Sequence, residues 1–102
     1  MIDLIENHRA ELATLCRKHH VKTLEIFGSA ADGAFDPERS DLDFLVEFLP
    51  EAAQRIFHGY FDLREALEHL FGRKVDLVMP GAVRNPYFLQ AVNQQRKVLY
   101  AA

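Results

Sequence analysis

A chain of 102 residues has room for about one ordinary domain, so any catalytic site must share a single core. Hydrophobic residues make up 49% and charged residues 26%, which excludes a disordered chain, and no apolar run approaches the roughly 20 residues of a membrane-crossing helix. The net charge is −3 with no dense Lys/Arg stripe, which argues against DNA or RNA as a partner.

The opening Met1-Ile2-Asp3-Leu4-Ile5-Glu6 places acids where a secretory leader carries positive charge, so no export signal is expected. Between Asp3 and about His20, Ile5, Leu12, Leu15 and Cys16 recur at helical spacing opposite Glu6, Arg9, Glu11 and Lys18, which predicts an amphipathic helix. Cys16 is the single cysteine and lies on the apolar side, so a buried thiol and a reducing cytoplasm are expected. His19 and His20 are adjacent and face different directions, so they are read as surface residues without function.

Thr23-Leu24-Glu25-Ile26-Phe27 alternates polar and apolar residues and reads as a strand halted by Gly28. Asp32 to Ser40, with Gly33, Asp36 and Pro37, reads as a surface loop. Leu42 to Phe48 has strand character and is closed by Pro50. From Glu51 to Phe71, Ile56, Tyr60, Leu63, Leu67 and Leu70 form one stripe ahead of Gly72, predicting a second helix.

Phe57, Tyr60, Phe61 and Phe71 read as core, with some left over for a partner surface, because so short a chain has more apolar side chains than one small core hides. Arg64 and His69 match the Arg-x4-His spacing of HEPN ribonucleases, but such a protein is all-helical and this chain has strands, so the match is read as chance. Lys74 to Met79 is a third strand closed by Pro80-Gly81, and Asn85-Pro86 starts a last helix running to about Tyr100. The order helix, strand, strand, helix, strand, helix predicts one α/β (α+β) domain over 1–102, a small mixed sheet with helices packed on one face.

Asp41 and Asp43 stand two apart at the start of a strand, and the period of two points both to one face while Leu42, Phe44 and Val46 anchor the other. Paired carboxylates are what Mg²⁺ needs, together with substrate phosphates. Gly28-Ser29 ends the preceding strand, where glycine lets the backbone approach a phosphate and serine offers its hydroxyl and N–H. Asp76 interrupts the apolar run Val75-Asp76-Leu77-Val78, where an unpaired charge is costly unless a cation or hydrogen bonds offset it. Three strand-borne acids suit phosphoryl transfer, which asks a protein mainly for positioning and charge neutralisation.

Gly28-Ser29, eleven intervening residues and Asp41-Leu42-Asp43 resemble the signature of the DNA polymerase β-like nucleotidyltransferase superfamily. With Val75-Asp76-Leu77-Val78 and the closing segment from Asn85-Pro86-Tyr87 to Val98-Leu99-Tyr100, the chain looks like the minimal nucleotidyltransferase (MNT) branch along nearly its whole length. The resemblance implies a polymerase β-like nucleotidyltransferase fold and an antitoxin encoded with a HEPN-domain ribonuclease toxin. It also implies transfer of AMP from ATP to a tyrosine of that toxin, with Mg²⁺ as cofactor.

Carried over by position, Gly28 and Ser29 contact the triphosphate, Asp41 and Asp43 ligate Mg²⁺, and Asp76 completes the acidic triad. The family often has a basic residue a few positions after the Gly-Ser, where this chain has Ala31-Asp32-Gly33. Asp32 repels a triphosphate, so Arg39 or Lys74 is expected to supply the cation. Two other readings stand beside this one: a non-catalytic antitoxin that neutralises its partner by covering it, and nucleotide transfer to a small molecule, against which the lack of a substrate domain counts.

Overall fold

The computed structural model describes residues 2–102, less the side chains at 32 and 53–57; the stripe position Ile56, the core aromatic Phe57 and the repelling charge of Asp32 therefore lie outside the described side chains. Its elements are α1 (Asp3–Glu6), α2 (Arg9–Lys18), β1 (Val21–Phe27), α3 (Ser29–Asp32), β2 (Leu42–Phe48), α4 (Ile56–Phe71), β3 (Val75–Val78), α5 (Pro86–Gln95) and β4 (Lys97–Ala101). The four strands form one mixed sheet in the order β3-β2-β1-β4, with β2 and β3 parallel and the other pairs antiparallel. No described helix is long and apolar enough to cross a membrane.

The period-two pattern of the strands sorts side chains onto two faces. Leu24 and Ile26 of β1, Leu42, Phe44 and Val46 of β2, and Val75 and Leu77 of β3 enter one core with Ile5 of α1, Leu12 and Cys16 of α2, and Leu63, Leu67 and Phe71 of α4. Phe44 is fully buried there, a burial worth about 3 kcal/mol. The opposite face is covered only in part, where Val92 of α5 packs with Phe27 and Leu45. The rest of that face is left for chemistry.

Cys16 lies in the core at 0% exposure, and burial pushes its thiol up to about 12. Native protein at pH 8 is expected to resist a thiol-alkylating reagent for hours and to react at once in denaturing urea. Rapid labelling of the folded chain would show that α2 opens locally.

Sequence and structure part company at three places. The single first helix is split, because Asn7 and His8 form a turn in which the His8 Nδ1 lies 2.8 Å from the Leu4 carbonyl oxygen. The second begins with a 3-10 segment over Pro50–Arg55 and becomes α-helical only at Ile56. The largest difference is at the C-terminal end. Asn85 caps α5, its Oδ1 accepting from the Tyr87 and Phe88 N–H groups at 3.0 and 3.3 Å, but the helix stops at Gln95 rather than Tyr100. Lys97 to Ala101 instead pairs antiparallel with β1, because Val98-Leu99-Tyr100 is a β-prone run and β1 offers an open edge. Arg96 pins the turn, its Nε lying 2.6 Å from the carboxylate of the buried Glu25 on β1.

β3 is an edge strand, and α4 satisfies its outer backbone groups. The Tyr60 hydroxyl donates to the Leu77 carbonyl at 2.5 Å, and the Glu68 carboxylate accepts from the Val75 N–H at 3.1 Å. The edge is thereby blunted against pairing with another chain, and β3 is fixed in place.

Candidate active site

Asp43 points away from the core because Leu42 and Phe44 on either side of it point in. In the sheet register it stands opposite Asp76 on β3 and opposite Phe27 on β1, so the two acids are direct neighbours on the uncovered face. Asp76 is not enclosed by its apolar neighbours: Val75 and Leu77 are buried while Asp76 is exposed. The two carboxyl groups share a hydrogen bond, and Asp43 is pushed up to about 6, first by burial, then by the hydrogen bond and the charge of Asp76, then by Asp41. Two like charges at this range favour a shared proton.

That shift has a consequence for stability. A carboxyl raised above its usual 3.8 contributes fully to folding only while protonated, so the contribution is lost as pH rises from about 4 through 6. In chelator, urea unfolding of wild type against Asp43→Asn is expected to show wild type losing ground between pH 4 and 6, with a level difference above about 7. A difference that stays flat from pH 4 to 8 would contradict the shared proton.

Gly28, at the end of β1, has φ 72 and ψ −152, a region essentially confined to glycine. A Cβ built there would run into the Asp43 carboxylate, with Cγ at 3.1 Å. The turn therefore lies flush against the acid. Ser29 follows as the first residue of α3, half-buried.

Asp41 is the last residue of the loop before β2 and is half-exposed. Lys74 Nζ lies 4.0 Å from its Oδ2, a solvent-exposed pair with little energetic weight but the right charge beside the acids. The loop itself is tied down by Arg73, which donates to the Ser40 carbonyl at 3.3 Å and sits 5.0 Å from the centre of the Phe35 ring. Arg39 is not brought to the site: it is exposed on the loop, its N–H donating to the Asp36 carbonyl at 3.2 Å, and its side chain has no contact with the acids among the described residues.

Among the described residues, no group of three or more His, Cys, Asp or Glu side chains is placed to hold a metal ion. Two facing carboxylates, with Asp41 two residues upstream of one of them, fit Mg²⁺ nonetheless, since that ion takes one or two carboxylates from the protein and keeps water and substrate phosphates around it. Gly28 leaves space against Asp43 that a larger residue would fill.

Asp43 and Asp76 open into a pocket of about 380 Å³ whose walls include Phe27, Tyr60, Arg64 and Phe88. Phe27 and Phe88 meet edge to face at 5.9 Å, and the Arg64 guanidinium lies 5.2 Å from the centre of the Phe61 ring. Sequence reasoning missed Arg64 and Phe88 as site residues. One signal was available: Arg64 is four residues from Tyr60, so a cation occupies the apolar side of α4. A second hollow of about 720 Å³, between α2 and α4, is lined by none of the three acids.

The nucleotidyltransferase domain family matches residues 9–99. The Methanocaldococcus jannaschii protein named "Putative protein adenylyltransferase MJ0128" is 37% identical over 92 residues, spanning 90% of this chain and 87% of its own. A solved structure described as "Structure of putative minimal nucleotidyltransferase" superimposes with a TM-score of 0.75 at 32% identity, covering 94% of this chain and 95% of that one. A chain from a complex described as tri-AMPylated Shewanella oneidensis HEPN toxin with MNT antitoxin shares the fold, with a TM-score of 0.63 at 19% identity over 96% of this chain and 73% of that one.

Proposed function

The chain belongs to the nucleotidyltransferase domain family, in its minimal branch, and from that premise we propose that it transfers AMP from ATP to a tyrosine of a HEPN-domain ribonuclease toxin and so acts as that toxin's antitoxin. The observation that carries this reading is the Asp43–Asp76 pair, in register on adjacent strands and pressed against the Gly28 turn. The name of the Methanocaldococcus relative and the complex that contains the Shewanella chain support the same acceptor class.

In this reading the tyrosine oxygen forms a bond to the α-phosphorus of ATP, the bond between that phosphorus and the bridging oxygen breaks, and pyrophosphate leaves. Asp76, exposed on the open face, takes the phenolic proton, with Asp43 directly opposite it in the sheet register. Gly28 and Ser29 place backbone and hydroxyl groups along the phosphates, and Lys74 lends positive charge next to Asp41. Asp43 and Asp76 would hold Mg²⁺, with the charge of Asp41 nearby, and the ion when bound neutralises phosphate charge and eases ionisation of the hydroxyl. Phe88, 36% exposed in the pocket wall, and Phe61, 51% exposed beside Arg64, suit a protein acceptor better than a small polar one.

The reading is tested by incubating the chain with radioactive ATP, MgCl₂ and a HEPN toxin co-purified with it. Label on a toxin tyrosine, lost with chelator, is the expected result. An unlabelled toxin that is nevertheless inhibited, together with calorimetry that detects no ATP binding, would overturn it in favour of neutralisation by covering alone.

A further inference from the structure

Across the sheet, the acids separate two different environments. On one side of Asp43 is Gly28 at the end of β1; on the other is Asp76 on β3, and beyond that edge strand stands α4 with Tyr60 and Arg64. Gly28 and β3 are two strand spacings apart, about 10 Å. In phosphoryl transfer the attacking and leaving oxygens lie in line on opposite sides of phosphorus. If the phosphates run along Gly28 and Ser29, the attacking hydroxyl comes from the side of Asp76 and α4.

The acceptor half of the pocket is therefore walled by Tyr60 and Arg64 of α4, facing Phe27 and Phe88 on the β1 side. Its polar resources are few. The Tyr60 hydroxyl is committed to the Leu77 carbonyl and serves as wall rather than donor. Arg64 is half-buried, with its guanidinium 5.2 Å from the Phe61 ring centre, yet it has no carboxylate partner among the described residues, although Asp43 and Asp76 line the same pocket. A guanidinium held over a ring in this way still has planar N–H donors that suit a carboxylate.

We propose that Arg64 determines acceptor specificity by binding a carboxylate carried within a residue or two of the acceptor hydroxyl, so that the chain selects a hydroxyl residue flanked by Asp or Glu. This rests on the nucleotidyltransferase reading above, and Arg64 acts on the acceptor rather than on ATP.

The test uses three peptides, Gly-Glu-Tyr-Glu-Gly, Gly-Gln-Tyr-Gln-Gly and Gly-Lys-Tyr-Lys-Gly, titrated by NMR into the chain with a non-hydrolysable ATP analogue and Mg²⁺ present. Wild type is expected to bind the acidic peptide about tenfold more tightly, Arg64→Gln to bind both equally, and Arg64→Glu to invert the preference toward a Lys-flanked peptide. Affinity for the ATP analogue, measured separately without peptide, is expected to be the same in all three proteins. The assignment is overturned if wild type does not prefer the acidic peptide, including the case where it binds neither at millimolar concentration. It is overturned equally if Arg64→Gln keeps the preference or weakens the ATP analogue instead. Failure of every variant to bind the ATP analogue would strike the nucleotidyltransferase reading, a separate outcome.

Discussion

Asp43→Asn is expected to lower AMP transfer about a thousandfold or more while leaving the chain folded. Asp43 stands at the centre of the site, opposite Asp76 on β3, in contact distance of the Gly28 turn and two residues from Asp41. The substitution keeps the shape and a hydrogen bond to Asp76 but removes the negative charge that a divalent ion and a developing phosphate charge both require. Because the Asp43 carboxyl is destabilised by burial and by Asp76, losing its charge relieves repulsion, so Asp43→Asn in chelator at pH 8 is expected to unfold at an equal or higher urea concentration than wild type. The pairing of lost activity with undiminished stability is what separates a catalytic carboxylate from a structural one. Activity within tenfold of wild type would remove Asp43 from the chemistry, and a destabilised variant would mean that the pair holds the sheet together.

Much of this arrangement was legible in the residues. The alternation over 42–48 is enough to place Leu42, Phe44 and Val46 inward and Asp43 outward, since a strand has only two faces and one is buried. An acid within Val75-Asp76-Leu77-Val78 signals a face that is not core, and the register then sets it beside Asp43. What the pattern could not supply was the partner of each strand. That β2 and β3 run parallel and adjacent follows from α4 crossing over between them, a tertiary fact that makes a pair out of two acids 33 residues apart in the chain.

The missed strand β4 has the same origin. Val98-Leu99-Tyr100 fits a helix end as well as an edge strand by local propensity, and the open side of β1 with Glu25 reaching Arg96 decides between them. Arg39 and Arg64 show the same limit for charges. Arg39 is close to the acids in sequence but lies on an exposed loop, whereas Arg64 is 21 residues beyond Asp43 and is brought to the pocket by the packing of α4 on β3.

Gly28→Ala is expected to fail in two separable ways. The backbone conformation at 28, φ 72 and ψ −152, is open to glycine and strained for any residue with a Cβ, at about 2 kcal/mol of stability. The added methyl also runs into the Asp43 carboxylate and must push it aside, which moves the central acid relative to Asp76. A displacement of about 1 Å at reacting groups can cost on the order of a hundredfold in rate, so activity is expected to fall by that factor or more. The two effects are told apart by repeating the substitution in an Asp43→Ala background, where the methyl meets no carboxylate. There the stability loss is expected to shrink to the backbone strain alone, leaving a coupling of about 1 kcal/mol between the positions. Equal losses in both backgrounds would mean that Gly28 serves only the turn, and that its closeness to Asp43 does not constrain the acid.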